Sequence, residues 1–242
     1  MKKLILTFSL IILSITVNCQ VVGGKYNDLF DNFILGEYQD CLYDALKYTE
    51  KDKTRREAEP YLYASMVYMK FYSDPDYVEF DKDDLLKDAL KYAAKFVKYD
   101  EKDEESYLLS QNLEPIVELR KLSVELADYF YVEENYRKSA YFLKKYYKVQ
   151  EIPELLLTIG NCQILSRNTS EGERNITMAL EQLKSNNATF KNLSLLDVLN
   201  AKSFKDQVEF LNANDEKEKA NEIINLSAFY FKKDPQMAPL FN

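Results

Sequence analysis

Paired carboxylates are the residues of this chain whose type and spacing could support acid–base chemistry. Glu104-Glu105 and Glu133-Glu134 are the clearest pairs, and both lie in charge-rich stretches that are typical of turns. A carboxylic acid that donates a proton near neutral pH needs its pKa raised in a closed cleft, and a solvated turn does not provide one. The chain contains no His, which excludes His-based triads, His acid–base catalysis and His metal ligands. A Gly-rich phosphate loop and a nucleophile beside a base are also absent, so we expect neither enzymatic activity nor a bound cofactor.

A run of carboxylates, DPDYVEFDKDD, extends from Asp74 to Asp84 and has the composition of a calcium loop. The calcium loop of a helix–loop–helix site alternates its ligands, bends at a Gly and ends on a Glu. This run has no Gly and no such alternation. We therefore expect a solvated insertion between two helices and no metal site.

Two cysteines, Cys41 and Cys162, follow the N-terminal segment and could in principle form a disulfide. The first falls on the second helix of an early helix pair and the second on the first helix of a much later pair. Stacked helices lie about 10 Å apart, whereas bridged Cα atoms lie within roughly 7 Å. We expect both side chains to be small buried packing residues.

The N-terminal segment, MKKLILTFSLIILSITVNCQ, has the three-part pattern of a bacterial-type secretory leader: two lysines, an apolar core from Leu4 to Val17, and small or polar residues. We predict a cleaved signal peptide at residues 1–19 and an exported chain, periplasmic or associated with the outer membrane. Cleavage after Cys19 fits the small-x-small rule. The alternative is a lipid on Cys19, although Thr16 and Asn18 depart from the lipobox pattern; we favour the soluble form over the anchored one.

The composition predicts an all-α protein. Only 5 Gly and 6 Pro interrupt 242 residues, and the periodic segments are rich in Leu, Lys, Glu, Ala and Tyr. With 32 basic and 40 acidic side chains the formal net charge is −8. Because an acidic surface repels phosphate backbones, we expect no nucleic-acid partner.

The clearest helix pair lies between Leu119 and Val149, with a break at Glu133-Glu134-Asn135. Both arms repeat packing residues at steps of three and four, which places them on one helix face. In chain order they are Leu119, Leu122, Leu126 and Phe130, then Ser139, Leu143, Tyr146 and Tyr147. A hairpin of this kind cannot bury its own apolar face, so it needs similar neighbours.

Small and aromatic residues recur in a pattern that resembles tetratricopeptide repeats. The first helix of such a repeat has a small residue with an aromatic three positions later, as in Ser65 with Tyr68 and Ala127 with Phe130. The second helix has a small residue followed by packing residues four and seven positions later. The matching sets are Cys41, Ala45, Tyr48; Ala89, Ala93, Phe96; Ser139, Leu143, Tyr146; and Gly172, Ile176, Ala179. The spacing between the last two sets is close to the family period of about 34 residues.

The resemblance implies a right-handed α-solenoid of antiparallel helix pairs, with repeats over residues 20–185 and further helices at 186–242 that complete or cap the array. A generic irregular helical bundle is the alternative. In the family the first helices line a concave groove that binds peptides or protein segments. The groove-facing candidates are Leu62, Met66, Met69, Val124, Tyr131, Leu157 and Ile164. An apolar groove suits a partner helix or an extended apolar segment. Alternatively, later helices or an adjacent repeat cover these same residues.

Export, the repeat pattern and the missing catalytic groups together favour a non-enzymatic interaction scaffold or adaptor in a bacterial cell envelope. We expect a protein partner, within an outer-membrane assembly or secretion complex, and membrane contact only through that partner or a lipid on Cys19. The alternative is a secreted or periplasmic ligand- or glycan-binding protein whose tyrosines stack on sugars. Such a protein would need exposed aromatic rings beside polar hydrogen-bonding groups.

Overall fold

A computed structural model of the chain describes residues 24–77, 81–105 and 107–241. Within these ranges the regular structure is entirely helical, so the all-α prediction is confirmed. The predicted signal peptide at residues 1–19, including Cys19, lies outside the described residues.

The described ranges contain eleven α-helices joined by short connections. They are α1 Asn27–Leu35, α2 Tyr38–Glu50, α3 Ala58–Ser73, α4 Lys82–Asp100, α5 Leu108–Gln111, α6 Leu113–Val132, α7 Tyr136–Tyr147, α8 Pro153–Leu165, α9 Thr169–Ser185, α10 Leu195–Ala213 and α11 Lys217–Phe231. Short 3-10 helices cover Pro75–Tyr77 and Ala238–Phe241.

Local sequence accounts for several helix ends. Gly36 adopts a φ of 80° after α1, a left-handed conformation that glycine reaches without steric cost. The Asp81 carboxylate accepts a hydrogen bond from the backbone N–H of Asp83 at 2.8 Å and caps α4. Ser194 and Asp197 form a reciprocal capping box at the start of α10.

Consecutive helices pack as pairs at small residues. The Ser65 hydroxyl of α3 donates to the carbonyl oxygen of Ala89 in α4 at 2.9 Å. Between α8 and α9, a Cβ added to Gly160 would lie 2.8 Å from the carbonyl oxygen of Gly172, and a Cβ added to Gly172 would lie 2.7 Å from that of Gly160. Because real Cβ atoms do not come this close to backbone, only glycine allows this approach of the two helices.

The fifth long pair, α10 and α11, does not simply continue the stacking. α7 packs closely on α8, but the main neighbour of α10 is also α8, and α10 reaches α6 as well. Every residue of α8 from Leu155 to Ile164 is consequently buried. This helix contributes to both apolar clusters of the protein, one formed mainly by α1–α7 and the other by α8–α11.

Candidate partner-binding surface

The groove-facing residues predicted from sequence are all buried. Each of the seven is at most 9% exposed, and the set is Leu62, Met66, Met69, Val124, Tyr131, Leu157 and Ile164. The expectation that they line an open groove is therefore wrong for all of them but Val124, which reaches the base of a groove described below, and the alternative, that other helices cover them, describes the rest. A charged substitution at Met66 or Ile164 would disrupt packing, so such variants cannot isolate binding.

Helix α10 is the element that covers the later members of this set. The Tyr131 hydroxyl of α6 donates to the Asp206 carboxylate of α10 at 2.5 Å, and the ammonium of Lys202 lies 4.9 Å from the centre of the Tyr131 ring. Burial, and then the bond to Asp206, hold the pKa of this phenol far above its usual range. Tyr131 therefore stays protonated as a fixed donor that ties α6 to α10.

Polar side chains line the contact between α8 and α10. The Thr158 hydroxyl donates to the Asn200 side-chain oxygen, and the Asn161 amide donates to the Ser203 hydroxyl at 3.0 Å. All four residues are fully buried. Gln207, also fully buried on α10, has no hydrogen-bond partner for either polar atom of its side chain. These hydrogen bonds fix how α10 lies on α8, but some polar groups of the contact have no hydrogen-bond partner.

An apolar groove stays open where α6, the start of α8 and the start of α10 meet. We call it the α6–α10 groove, and its apolar lining consists of Val117, Val124, Ile152, Leu195 and Leu196. Its volume is about 500 Å³. Val124 is the one predicted groove residue that reaches this surface, since it lies at the base beneath more exposed neighbours.

Large apolar side chains are exposed around this groove. Val117 is 49% exposed and Leu195 40%, and Val198 lies beyond Leu195 on α10 with a similar exposure. Leu113, one turn before Val117 on α6, is also exposed. Charged residues of both signs, including Arg120 and Glu125, form the rim. An apolar centre with a mixed charged rim is the usual anatomy of a protein interface.

Sequence reasoning missed most of this surface, although α6 carried a signal for it. Leu113, Val117 and Val124 are separated by steps of four and seven, so they share one helix face. That face lies on nearly the opposite side of α6 from the packing stripe of Leu119, Leu122 and Phe130. Two apolar stripes on one helix indicate two surfaces that pack against other elements. Only the stripe of Leu119, Leu122 and Phe130 is fully covered in this structure.

The structure exposes the paired carboxylates and buries a different carboxylate, that of Glu59. Glu104, Glu105, Glu133 and Glu134 are exposed. Glu59 is a buried carboxylate whose pKa is raised by burial, although backbone hydrogen bonds oppose the shift. Its oxygens accept the backbone N–H groups of Lys25 at 2.7 Å and of Tyr26 at 3.4 Å. Glu59 thus anchors the chain ahead of α1.

The acidic insertion uses carboxylates for local hydrogen bonds. The Asp74 carboxylate accepts the backbone N–H of Asp76 at 2.9 Å. The Asp81 carboxylate accepts the backbone N–H of Asp83 in the same way. No cluster of potential metal ligands occurs among the described residues.

Cys41 and Cys162 are both free and fully buried. Burial raises the pKa of each thiol to about 12. Both behave as small packing residues, with the Cys162 thiol 3.7 Å from the Ser139 hydroxyl.

Comparisons with protein-family models, curated proteins and solved structures find no match to this chain.

Proposed function

We propose that the chain is a non-enzymatic interaction scaffold that binds a partner protein in the α6–α10 groove. The observation that carries this proposal is the exposed apolar surface formed by Val117 and Leu195 at a groove of about 500 Å³. Exposed apolar surface that adjoins a groove in a folded chain is typical of an interface, because covering it removes apolar area from water.

The occupant we propose is a partner helix or extended segment with an apolar face and charges of both signs at its edges. The chain itself supplies a precedent, since α10 already lies across α6 and α8 as a helix on helices. Its apolar residues Phe204 and Val208 join the same cluster as Leu157 and Ile164 of α8. A partner segment in the α6–α10 groove would extend this packing beyond the start of α10.

We further propose that the helix pairs form a tetratricopeptide-like, right-handed solenoid of antiparallel pairs that α10 and α11 cap. The support is the recurrent small-residue contact within pairs, at Ser65 with Ala89 and at Gly160 with Gly172. In such an array α6 and α8 would be first helices of their pairs. Helix α10 would then fill the inner face, and the α6–α10 groove would be the part of that face left open.

A bacterial envelope is the compartment we propose, with the partner in an outer-membrane assembly or secretion complex. This rests on the leader-like residues 1–19, which precede the described part of the chain. None of the described helices has the length and apolar character to cross a bilayer.

One surface meets part of the requirement of the ligand-binding alternative. Tyr43 is 68% exposed and lies in a second groove that also contains carboxylates. An exposed aromatic ring beside polar groups is the feature that this alternative requires.

The proposal is tested by placing charge in the α6–α10 groove. Val117→Glu with Leu195→Glu puts two carboxylates where an apolar partner segment would have to desolvate them. A central interface contact is worth about 2 kcal/mol, so we expect partner binding at least roughly thirty-fold weaker. The measurement is quantitative affinity capture from the producing cells, followed by titration of each captured protein in purified form.

The matched control is Val132→Glu with Leu226→Glu, which adds the same two charges at exposed apolar residues away from the groove. Circular dichroism should show the same helical spectrum for all three proteins. Partners that bind the wild type and the control but not the groove variant support the proposal. Equal binding by the groove variant and the control would refute it.

A further inference from the structure

A second groove lies at the other end of the molecule, between α2 and α4, with the end of α3 as its floor. We call it the α2–α4 groove, and its volume is about 530 Å³. Phe71 and Tyr77 form part of the floor, with ring centres 4.2 Å apart. None of these residues belongs to the α6–α10 groove, so the two surfaces can be tested separately.

The two walls of the α2–α4 groove differ in chemistry. The α2 wall is apolar, with Leu42, Tyr43 and Leu46 on one helix face. The opposite wall carries Asp81, Asp84 and Asp88, which follow one another at steps of three and four and so form one stripe along the start of α4. An apolar wall facing an acidic wall fits a segment that is itself amphipathic and basic on one side.

Two of these carboxylates are available to a ligand. Asp81 caps α4 and is committed to that role. Asp84 pairs with Lys87 at 2.6 Å and Asp88 with Lys91 at 3.4 Å, one turn along the same helix. Exposed ion pairs of this kind contribute less than about 1 kcal/mol, so a basic ligand could exchange for either lysine at little cost.

We propose that the α2–α4 groove binds a basic amphipathic peptide segment of a partner protein, with apolar side chains against Leu42 and Leu46 and Lys or Arg side chains toward Asp84 and Asp88. Charge complementarity favours this occupant over a second copy of the chain, because the chain is acidic overall with a net charge of −8. The acidic stripe extends two helical turns, about 10 Å, and so matches a segment of two to three turns.

The aromatic rings of this groove are less suited to a sugar. The Tyr68 ring stacks on Tyr92 with centres 5.6 Å apart, and Phe71 occupies one side of Tyr77. The exposed ring of Tyr43 has the ammonium of Lys47 5.7 Å from its centre. A stacking platform needs an open ring face, and packing or a lysine occupies much of that surface here.

The test uses designed helical peptides of about twelve residues. One carries leucines on one face and lysines beside them, a second replaces the lysines with glutamates, and a third scrambles the leucines. Fluorescence anisotropy with the purified chain should show binding of the basic amphipathic peptide alone. Asp84→Asn with Asp88→Asn should weaken that binding at least tenfold and reduce its dependence on salt.

The matched control is Asp52→Asn with Glu216→Gln, which removes two carboxylates from comparable exposed ion pairs elsewhere. This control should bind the basic peptide like the wild type. Equal loss in both double variants, equal binding of the basic and acidic peptides, or no binding at all would overturn the proposal. Two further results would overturn it if the basic peptide does not bind. They are self-association of the chain, or binding of a neutral oligosaccharide, in either case abolished by Tyr43→Ala. Results with the α6–α10 groove variants do not affect this outcome.

Discussion

Gln207 and its neighbours form the polar contact between α10 and α8, in which some hydrogen-bonding groups have no partner. Thr158 with Asn200 and Asn161 with Ser203 form hydrogen bonds, whereas Gln207 is buried with both side-chain polar atoms unpaired. A buried amide without a partner costs about 1–3 kcal/mol by mutational comparison. The polar contact between α8 and α10 therefore specifies where α10 lies, and the unpaired amide of Gln207 lowers the stability of the fold.

We expect Gln207→Met to stabilise the protein by about 1 kcal/mol, because the thioether has similar length and leaves no amide to desolvate. The measurement is urea unfolding followed by circular dichroism. The control is Thr158→Val, which removes the donor to Asn200 and should destabilise by about 1–3 kcal/mol. A loss of stability in Gln207→Met comparable to that in Thr158→Val would show that the Gln207 amide is satisfied.

For single residues, the sequence predicted which positions pack inside the fold but not which elements cover them. Met66 and Ile164 have the spacing of residues on an inner helix face, and that spacing is the same whether the face is open or covered. The deciding fact for Tyr131 is a contact with Asp206, 75 residues away. The periodic spacing of residues along one helix carries no information on contacts between residues so distant in the chain.

Among the helices, the pair formed by α8 and α9 depends most on a single close approach. Gly160 and Gly172 face each other, and a methyl group on either would meet both a backbone carbonyl and an isoleucine side chain. Sequence spacing identified Gly172 as a small position, and the structure explains why both positions are glycine.

We expect Gly160→Ala to destabilise the protein by about 1–3 kcal/mol, although Ala is the better helix former by up to about 1 kcal/mol. The clash outweighs the propensity because the carbonyl oxygen of Gly172 belongs to backbone and cannot rotate away. Thermal unfolding with an unchanged helical spectrum at low temperature is the appropriate measurement. An increase in stability would mean that the helices can separate without loss.

Helix boundaries followed the sequence where a cap or breaker was present. Helix α4, for example, begins at Lys82, directly after the capping Asp81. The stretch RNTSEGE contains residues typical of turns, yet it provides the first residues of α9, which starts at Thr169. Ser and Gly favour turns locally, but packing of Gly172 on Gly160 outweighs that preference. The packing of α10 against α8 and α6 is a tertiary contact that has no local sequence signal.

The whole molecule contains no His and many buried phenols, and the phenols determine how its stability responds to alkaline pH. Burial is the leading cause that raises the pKa of Tyr61, Tyr68 and Tyr146 to about 12. In the unfolded chain the same groups ionise near pH 10. Their contribution to stability is thus fully present below about pH 10 and is lost as the pH rises toward 12.

We expect the free energy of unfolding to change little between about pH 8 and 9 and to fall steeply above about pH 10. Urea unfolding at a series of pH values measures this directly. The part of the ionised-tyrosine absorbance that comes from the buried phenols should appear together with the loss of helix, because those phenols ionise only when they become exposed. Full ionisation of the tyrosines while the helical spectrum persists would contradict the packing described here.

The central claim is that partner proteins contact the α6–α10 groove. Site-specific photo-crosslinking tests it most directly, with a benzophenone amino acid in place of Val117 and, for comparison, in place of Val132 on the same helix. Both residues are exposed, at 49% and 59%, so either probe should be tolerated by the fold. We predict a crosslinked partner from position 117 and none from position 132. Crosslinks of equal yield at the two positions, or none at position 117 while the partner co-purifies, would contradict the account.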